Sequence, residues 1–178
     1  MFFSVLAECL AITISIFYAR RFLDKRTFIS LGFAQNKNAI LDLLSGVAIA
    51  FLLFALLYVF MQLMGWITFN GFAWQSEGYA HSFGQFVIWL LIFILVAWQE
   101  ELFSRGYLLQ NVRDGLNLVW AVFLSSMVFA MLHVFNPGAD WISTLGIFLA
   151  GLFLAFGYVM TKQLWLPIGL HIGWNLFE

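Results

Sequence analysis

The sequence predicts an all-α fold: a polytopic membrane helix bundle of about six spans, the last of them incomplete as a crossing segment. Three observations carry this. Hydrophobic residues make up 63% of the 178 and charged residues only 10%, where soluble domains average about 25% charged. Mean hydropathy is +0.95. Apolar runs near the roughly 20 residues that a spanning helix needs recur along the chain, separated by short polar segments. Lipid offers no partner to unpaired backbone groups, so such runs are helical.

Taken in order, the first span is expected over about 3–19, ending at the basic cluster ARRFLDKR. MFFSVLAECL has no basic region that would mark a cleaved signal peptide, so this segment is read as a retained membrane helix. The second span covers about 40–66. The third begins near Gln85 and runs to the neighbourhood of Arg113. The fourth covers about 117–135 and is stopped by Asn136-Pro137-Gly138. The fifth covers about 141–161, and the sixth begins near Leu164. Only 11 residues follow Pro167, about 17 Å of helix, against a hydrocarbon core of ~30 Å. The last helix is therefore expected to be either partial and shielded by protein, or truncated.

The basic residues orient the bundle. Arg20, Arg21, Lys25, Arg26 and Lys37 fall in the first loop, Arg105 and Arg113 within or after the third helix, and Lys162 after the fifth. Segments 67–84 and 136–140 contain no Lys or Arg. By the positive-inside rule the basic side is cytoplasmic and the N-terminus outside, in a multi-pass protein of the cell membrane. The aromatic residues of 67–84 suit an interfacial belt, with His81 as a solvated loop residue. Near-zero net charge gives no electrostatic support to nucleic-acid binding. The lone Cys9 can form neither an internal disulfide nor a zinc cluster. In GIFLAGLFLAFG, Gly146 with Ala150 and Gly151 with Ala155 have the spacing of close helix–helix packing.

Charged residues inside the apolar runs need a reason, since each costs about 2.5–3.5 kcal/mol at the bilayer centre even on the mildest scale. Glu8 and Asp42 lie near helix ends, within reach of the interface. Glu100 lies 15 residues after Gln85 and 13 before Arg113, about 20 Å from either end of a continuous helix. Glu101 and Arg105 are spaced i, i+4 and can pair. Glu100 is rotated about 100° from Glu101 and has no local partner, which leaves it available as a base. FAMLH places His133 one turn after Phe129, and HIGWN places Asn175 one turn after His171. Counted from the cytoplasmic ends, the depths of these residues are comparable. One Glu, two His and one Asn can meet inside the bundle.

Such a set suits hydrolysis in which a carboxylate activates water and His and Asn donate to an oxyanion. It needs no serine or cysteine nucleophile. From spacing alone, a polar network that locks helices together, or a proton or ion pathway, fits the same residues.

EELFSR, FAMLH and HIGWN, in this order on separate apolar segments, fit the patterns EExxxR, FxxxH and HxxxN. Together they resemble the CPBP intramembrane proteases, the family of the CAAX-processing (Rce1-type) proteases and the Abi-type bacteriocin-immunity proteins. The resemblance covers about residues 85–178. It implies a catalytic helix bundle there, joined in one membrane domain to N-terminal helices (1–84) that carry no diagnostic motif. It also implies a glutamate-type endopeptidase acting on a peptide or protein near the bilayer. Glu100 would activate water, with Glu101 and Arg105 as its supporting pair. His133 would help to position the water, and His171 and Asn175 would stabilise the oxyanion. No cofactor is expected: a Glu and two His can ligate a metal, but the sequence has no HExxH helix. Readings of a different class are a non-proteolytic scaffold or immunity protein on the same fold, and a proton-coupled transporter.

Overall fold

The computed structural model describes residues 1–35 and 37–178, and these are helical with short connections and no strand. Helix α1 (Phe2–Tyr18) ends in a π-helical turn (Ala19–Leu23) that carries the first basic residues. Helix α2 (Ala39–Leu63) returns across the bundle. A one-turn helix, α3 (Ala73–Glu77), precedes α4 (Tyr79–Glu101). A π-helical segment (Leu102–Leu108) continues α4 into α5 (Leu109–Gly115) as one long rod. Helices α6 (Leu118–Leu132), α7 (Trp141–Thr161) and α8 (Trp165–Phe177) complete the bundle.

Four helical stretches are long and apolar enough to cross a membrane: Phe2–Leu23, Ala39–Leu63, Tyr79–Gly115 and Trp141–Thr161. The two remaining segments are shorter than six full spans require. Helix α6 has 15 residues and α8 has 13, about 22 Å and 20 Å long. The fourth segment stops at Leu132, because His133 caps it and turns follow through Gly138. The third starts at Tyr79, six residues before the expected Gln85, so His81 sits in the first turns of a helix rather than in a loop. It stays exposed there, 3.9 Å from Glu77.

Local sequence sets the ends. The Asn117 side chain accepts from Trp120 N–H at 3.1 Å to start α6. Asp140 caps α7 by accepting from Ser143 N–H at 2.7 Å, while Ser143 Oγ accepts from Asp140 N–H at 2.8 Å. Lys162, in the left-handed region at φ +57°, ends α7.

The short α8 is shielded by protein, chiefly by α2. Glycines make this possible. A Cβ on Gly169 would overlap the Leu43 carbonyl, one on Gly173 would lie 2.6 Å from Ala50 Cβ, and one on Gly46 would lie 2.5 Å from Leu166 O. Only bare backbone lets the two helices approach so closely.

The end of the bundle that carries the basic residues is tightly latched. Arg20, 1% exposed, donates to Asp24, Ser30 and Gln110 at 3.0–3.1 Å and 2.9 Å. Gln110 in turn donates to Leu31 O at 2.8 Å. Leu164 N–H donates to Gly32 O at 2.8 Å, and Arg26 pairs with Asp114 at 2.5 Å. The first loop thus clamps α5 and the start of α8 over a core of Leu31, Leu102, Leu109 and Leu164, all fully buried.

Candidate active site

Four helices converge on one point inside the bundle. Helix α4 contributes Glu100 and Glu101 in its last turn, and Arg105 follows in the π-helical segment. A π-turn widens the helix locally and recurs at functional sites. Glu101 and Arg105 are both fully buried and pair at 2.9 Å, as their spacing predicts.

Arg105 has further partners. It donates to the Gly151 carbonyl of α7 at 2.8 Å, and its guanidinium lies 4.4 Å above the Phe129 ring of α6. Buried charge survives when it is paired and hydrogen-bonded in this way.

The same Glu101 oxygen that accepts from Arg105 also accepts from His171 Nδ1, at 2.8 Å. The Glu101–Arg105 pair therefore supports His171 directly, and Glu100 only through it. Glu100 itself projects toward two rings. Its Oε2 lies 3.6 Å from His133 Nε2 and 3.8 Å from His171 Nε2, and makes no hydrogen bond among the described residues. Those separations are too long for direct hydrogen bonds, and the three atoms together face the cavity, where a water seated beside them would meet all three.

The tautomers follow from the partners. His133 Nδ1 lies 2.8 Å from Phe129 O, a carbonyl that can only accept, so Nδ1 carries a proton. His171 Nδ1 faces the Glu101 carboxylate and carries one for the same reason. In neutral rings both Nε2 atoms are then bare, and with Glu100 three acceptors face one small space. Protons must be supplied to it, by water or by an imidazolium.

Asn175 lies one turn beyond His171 on α8, on the same cavity wall as Glu100, and its side chain has no hydrogen bond among the described residues. All six side chains expected at the site, Glu100, Glu101, Arg105, His133, His171 and Asn175, thus belong to one neighbourhood. Among the described residues no group of three or more His, Cys, Asp or Glu side chains is disposed to hold a metal ion.

A family model for type II CAAX prenyl endopeptidases of the Rce1-like kind matches residues 82–177, more than half of the chain. The chain belongs to this family. The Rce1-like region runs from within α4 to α8 and contains all six of these side chains, and the family makes the chain a membrane-embedded protease. No curated protein and no solved structure matches it significantly.

The Rce1-like site opens into a cavity of about 900 Å³. Glu100, His133, His171 and Asn175 are on its wall, while Leu53, Leu154, Leu170 and Trp174 give it an apolar side. A second cavity, of about 370 Å³, lies at the other end beside Gln35, Leu43 and Trp165 and has no ionisable wall.

Three features of the Rce1-like site were not legible as site features. Gly146 and Ala150 were expected in a helix contact; they line the cavity instead, and a Cβ on Gly146 would meet nothing within 4 Å. Gly151 does make a helix contact, against Ser126 and Phe129, and its carbonyl also holds Arg105. Leu53 reaches the cavity from α2, outside the matched region, and no pattern in α2 marks it.

Proposed function

We propose that this Rce1-like protein hydrolyses a peptide bond of a membrane-associated peptide or protein by a water that Glu100 activates. The observation that carries the reading is the convergence of two imidazole Nε2 atoms on one Glu100 oxygen at the wall of the large cavity. A water in the cavity beside Glu100 and His133 attacks the scissile carbonyl carbon and gives a proton to Glu100. The carbonyl oxygen becomes an oxyanion beside His171 Nε2 and the Asn175 amide. The C–N bond then breaks, and Glu100 passes the proton to the leaving amine.

His171 can donate from Nε2 only as an imidazolium, because its Nδ1 proton already goes to Glu101. The Glu101 carboxylate stabilises that cation, and Arg105 and Gly151 keep the carboxylate in place. In this reading Glu101 and Arg105 are positioning residues for His171. The protein lies in the cell membrane with its N-terminus outside, a placement supported by the confinement of its loop cations to one end.

The test is cleavage of membrane peptides by purified protein in lipid nanodiscs. Glu100→Gln keeps the shape and removes the base, and should lower the rate about 10²–10⁴-fold. Ser125→Ala and Ser126→Ala should leave it unchanged. Full activity of Glu100→Gln would dismiss the mechanism.

A further inference from the structure

We infer that Phe129 is a positioning residue of the reaction: its ring is the common surface on which the His133 and His171 imidazoles rest, and it sets how their two Nε2 atoms meet at Glu100. Phe129 is the one position of the three motifs that the mechanism leaves without a role. The kinetic half of the inference rests on the peptidase reading above; the bracing of the two rings does not.

The imidazoles come from opposite sides of the site and are tied to different partners. His133 Nδ1 bonds to Phe129 O, one turn back on its own helix, at 2.8 Å. That bond fixes the tautomer and holds the ring to α6 alone. His171 on α8 is tied to Glu101 of α4. Neither bond tells one ring where the other is, yet their Nε2 atoms lie 3.6 Å and 3.8 Å from the same Glu100 oxygen.

The Phe129 ring touches both. Its centroid is 4.7 Å from that of His133, with the planes at 45°, and 6.0 Å from that of His171, with the planes near perpendicular at 80°. Tilted and edge-to-face contacts with centroids about 4.5–7 Å apart are the favoured ones for such rings. The Arg105 guanidinium lies 4.4 Å over the same ring. Arg105 holds the Glu101 oxygen that accepts from His171. The ring thus reaches His171 twice, directly and through that pair.

The brace is itself held. Phe129 is 4% exposed. Leu154 of α7 and Leu170 of α8 pack with it, and a Cβ on Gly151 would stand 3.4 Å from its ring. A flat ring so enclosed keeps its neighbours at fixed distances, where a flexible side chain would adapt. Misplacing reacting groups by about 1 Å can cost about 10²-fold in rate, so loss of the ring belongs in kcat.

Kinetics and thermal melts in lipid nanodiscs test this. Phe129→Leu and Phe129→Met each leave an apolar side chain without a ring, and should lower kcat about 10²-fold with KM little changed. Phe129→Tyr keeps the ring and should keep most of the rate. Leu109→Ala, fully buried at the latched end of the bundle, should lower the midpoint without lowering kcat, which separates lost stability from lost positioning. Phe129 also lies on the cavity wall; ringless variants that raise KM and keep kcat would make it a substrate contact only and overturn the inference. So would a Phe129→Tyr that melts like wild type and is as slow as Phe129→Leu. A second measurement needs no cleavage. The midpoint drops of Phe129→Leu and His171→Leu should sum to more than the drop of the double variant, because either single change already removes the contact between the rings. Additive drops overturn the brace. If the wild type cleaves no peptide, the peptidase reading falls, and this cycle still decides whether the ring holds His171.

Discussion

Glu101 separates stability from chemistry, because one carboxylate oxygen serves a structural cation and a reacting ring. Replacing Glu101 with Leu leaves the Arg105 guanidinium fully buried without a counter-ion, retaining only the Gly151 carbonyl and the Phe129 face. Removing one partner of a buried pair costs about 3–5 kcal/mol. For a chain of this size a kcal/mol moves the thermal midpoint by about 2–4 °C, so the expected drop is roughly 6–20 °C. Arg105→Ala should cost less, since Glu101 then keeps His171 at 2.8 Å. The double variant Glu101→Leu/Arg105→Met removes both charges and fills similar volume, and such replacements are often neutral or stabilising. It should recover most of the lost midpoint. It should not recover cleavage, because nothing then holds His171 as an oriented imidazolium. The assay is a thermal melt in detergent beside peptide cleavage at the same protein concentration. An unchanged midpoint for Glu101→Leu would refute the pairing argument. A double variant that regained both stability and activity would refute the assignment of Glu101 to His171.

Asn175→Ala should lower kcat about 10²–10³-fold and leave the melt unchanged, since the Asn175 side chain has no hydrogen bond among the described residues; a midpoint shift would make it structural. Gly169→Ala drives a Cβ into the Leu43 carbonyl and should destabilise by about 1–3 kcal/mol or more, with loss of activity as α8 is displaced; Gly84→Ala, with nothing within 4 Å, should do neither, and the same melts and cleavage assays check both. Asp140, outside the spanning helices, has its carboxyl pushed below the usual range by the Ser143 backbone N–H that it caps. A depressed folded value means stability that is present above the ordinary carboxylate pKa of about 4 and lost as pH falls through the folded value. The midpoint difference between wild type and Asp140→Asn should therefore narrow or reverse on acidification below about pH 4, and a difference constant with pH would contradict the capping argument.

Much of this was legible because a membrane chain tolerates few polar residues. Glu100, Glu101, Arg105, His133, His171 and Asn175 stand out against the apolar background, and the i, i+4 spacing by itself identifies the Glu101–Arg105 pair. Spacing along a helix reports neighbours only on that helix. It could not show that Glu101 also holds His171, 70 positions away. Hydropathy gave the segments but overextended the second to 66 and the fourth to 135, because apolar residues continue past Leu63 and Leu132 while the backbone turns. The small-residue stripe of α7 was half informative. Gly151 lets α6 approach, whereas Gly146 and Ala150 leave room for a cavity, and a missing side chain looks the same in sequence for either purpose.

The most direct test of the central claim is a comparison of peptide termini in membranes from cells that carry wild type or Glu100→Gln at matched abundance. New termini are expected with wild type alone, and they should form again when the purified protein is incubated with the same membranes in the presence of a chelator. Identical sets of termini, alongside a clear phenotype of the Glu100→Gln cells, would contradict the account and leave Glu100 with a role that does not involve cleavage.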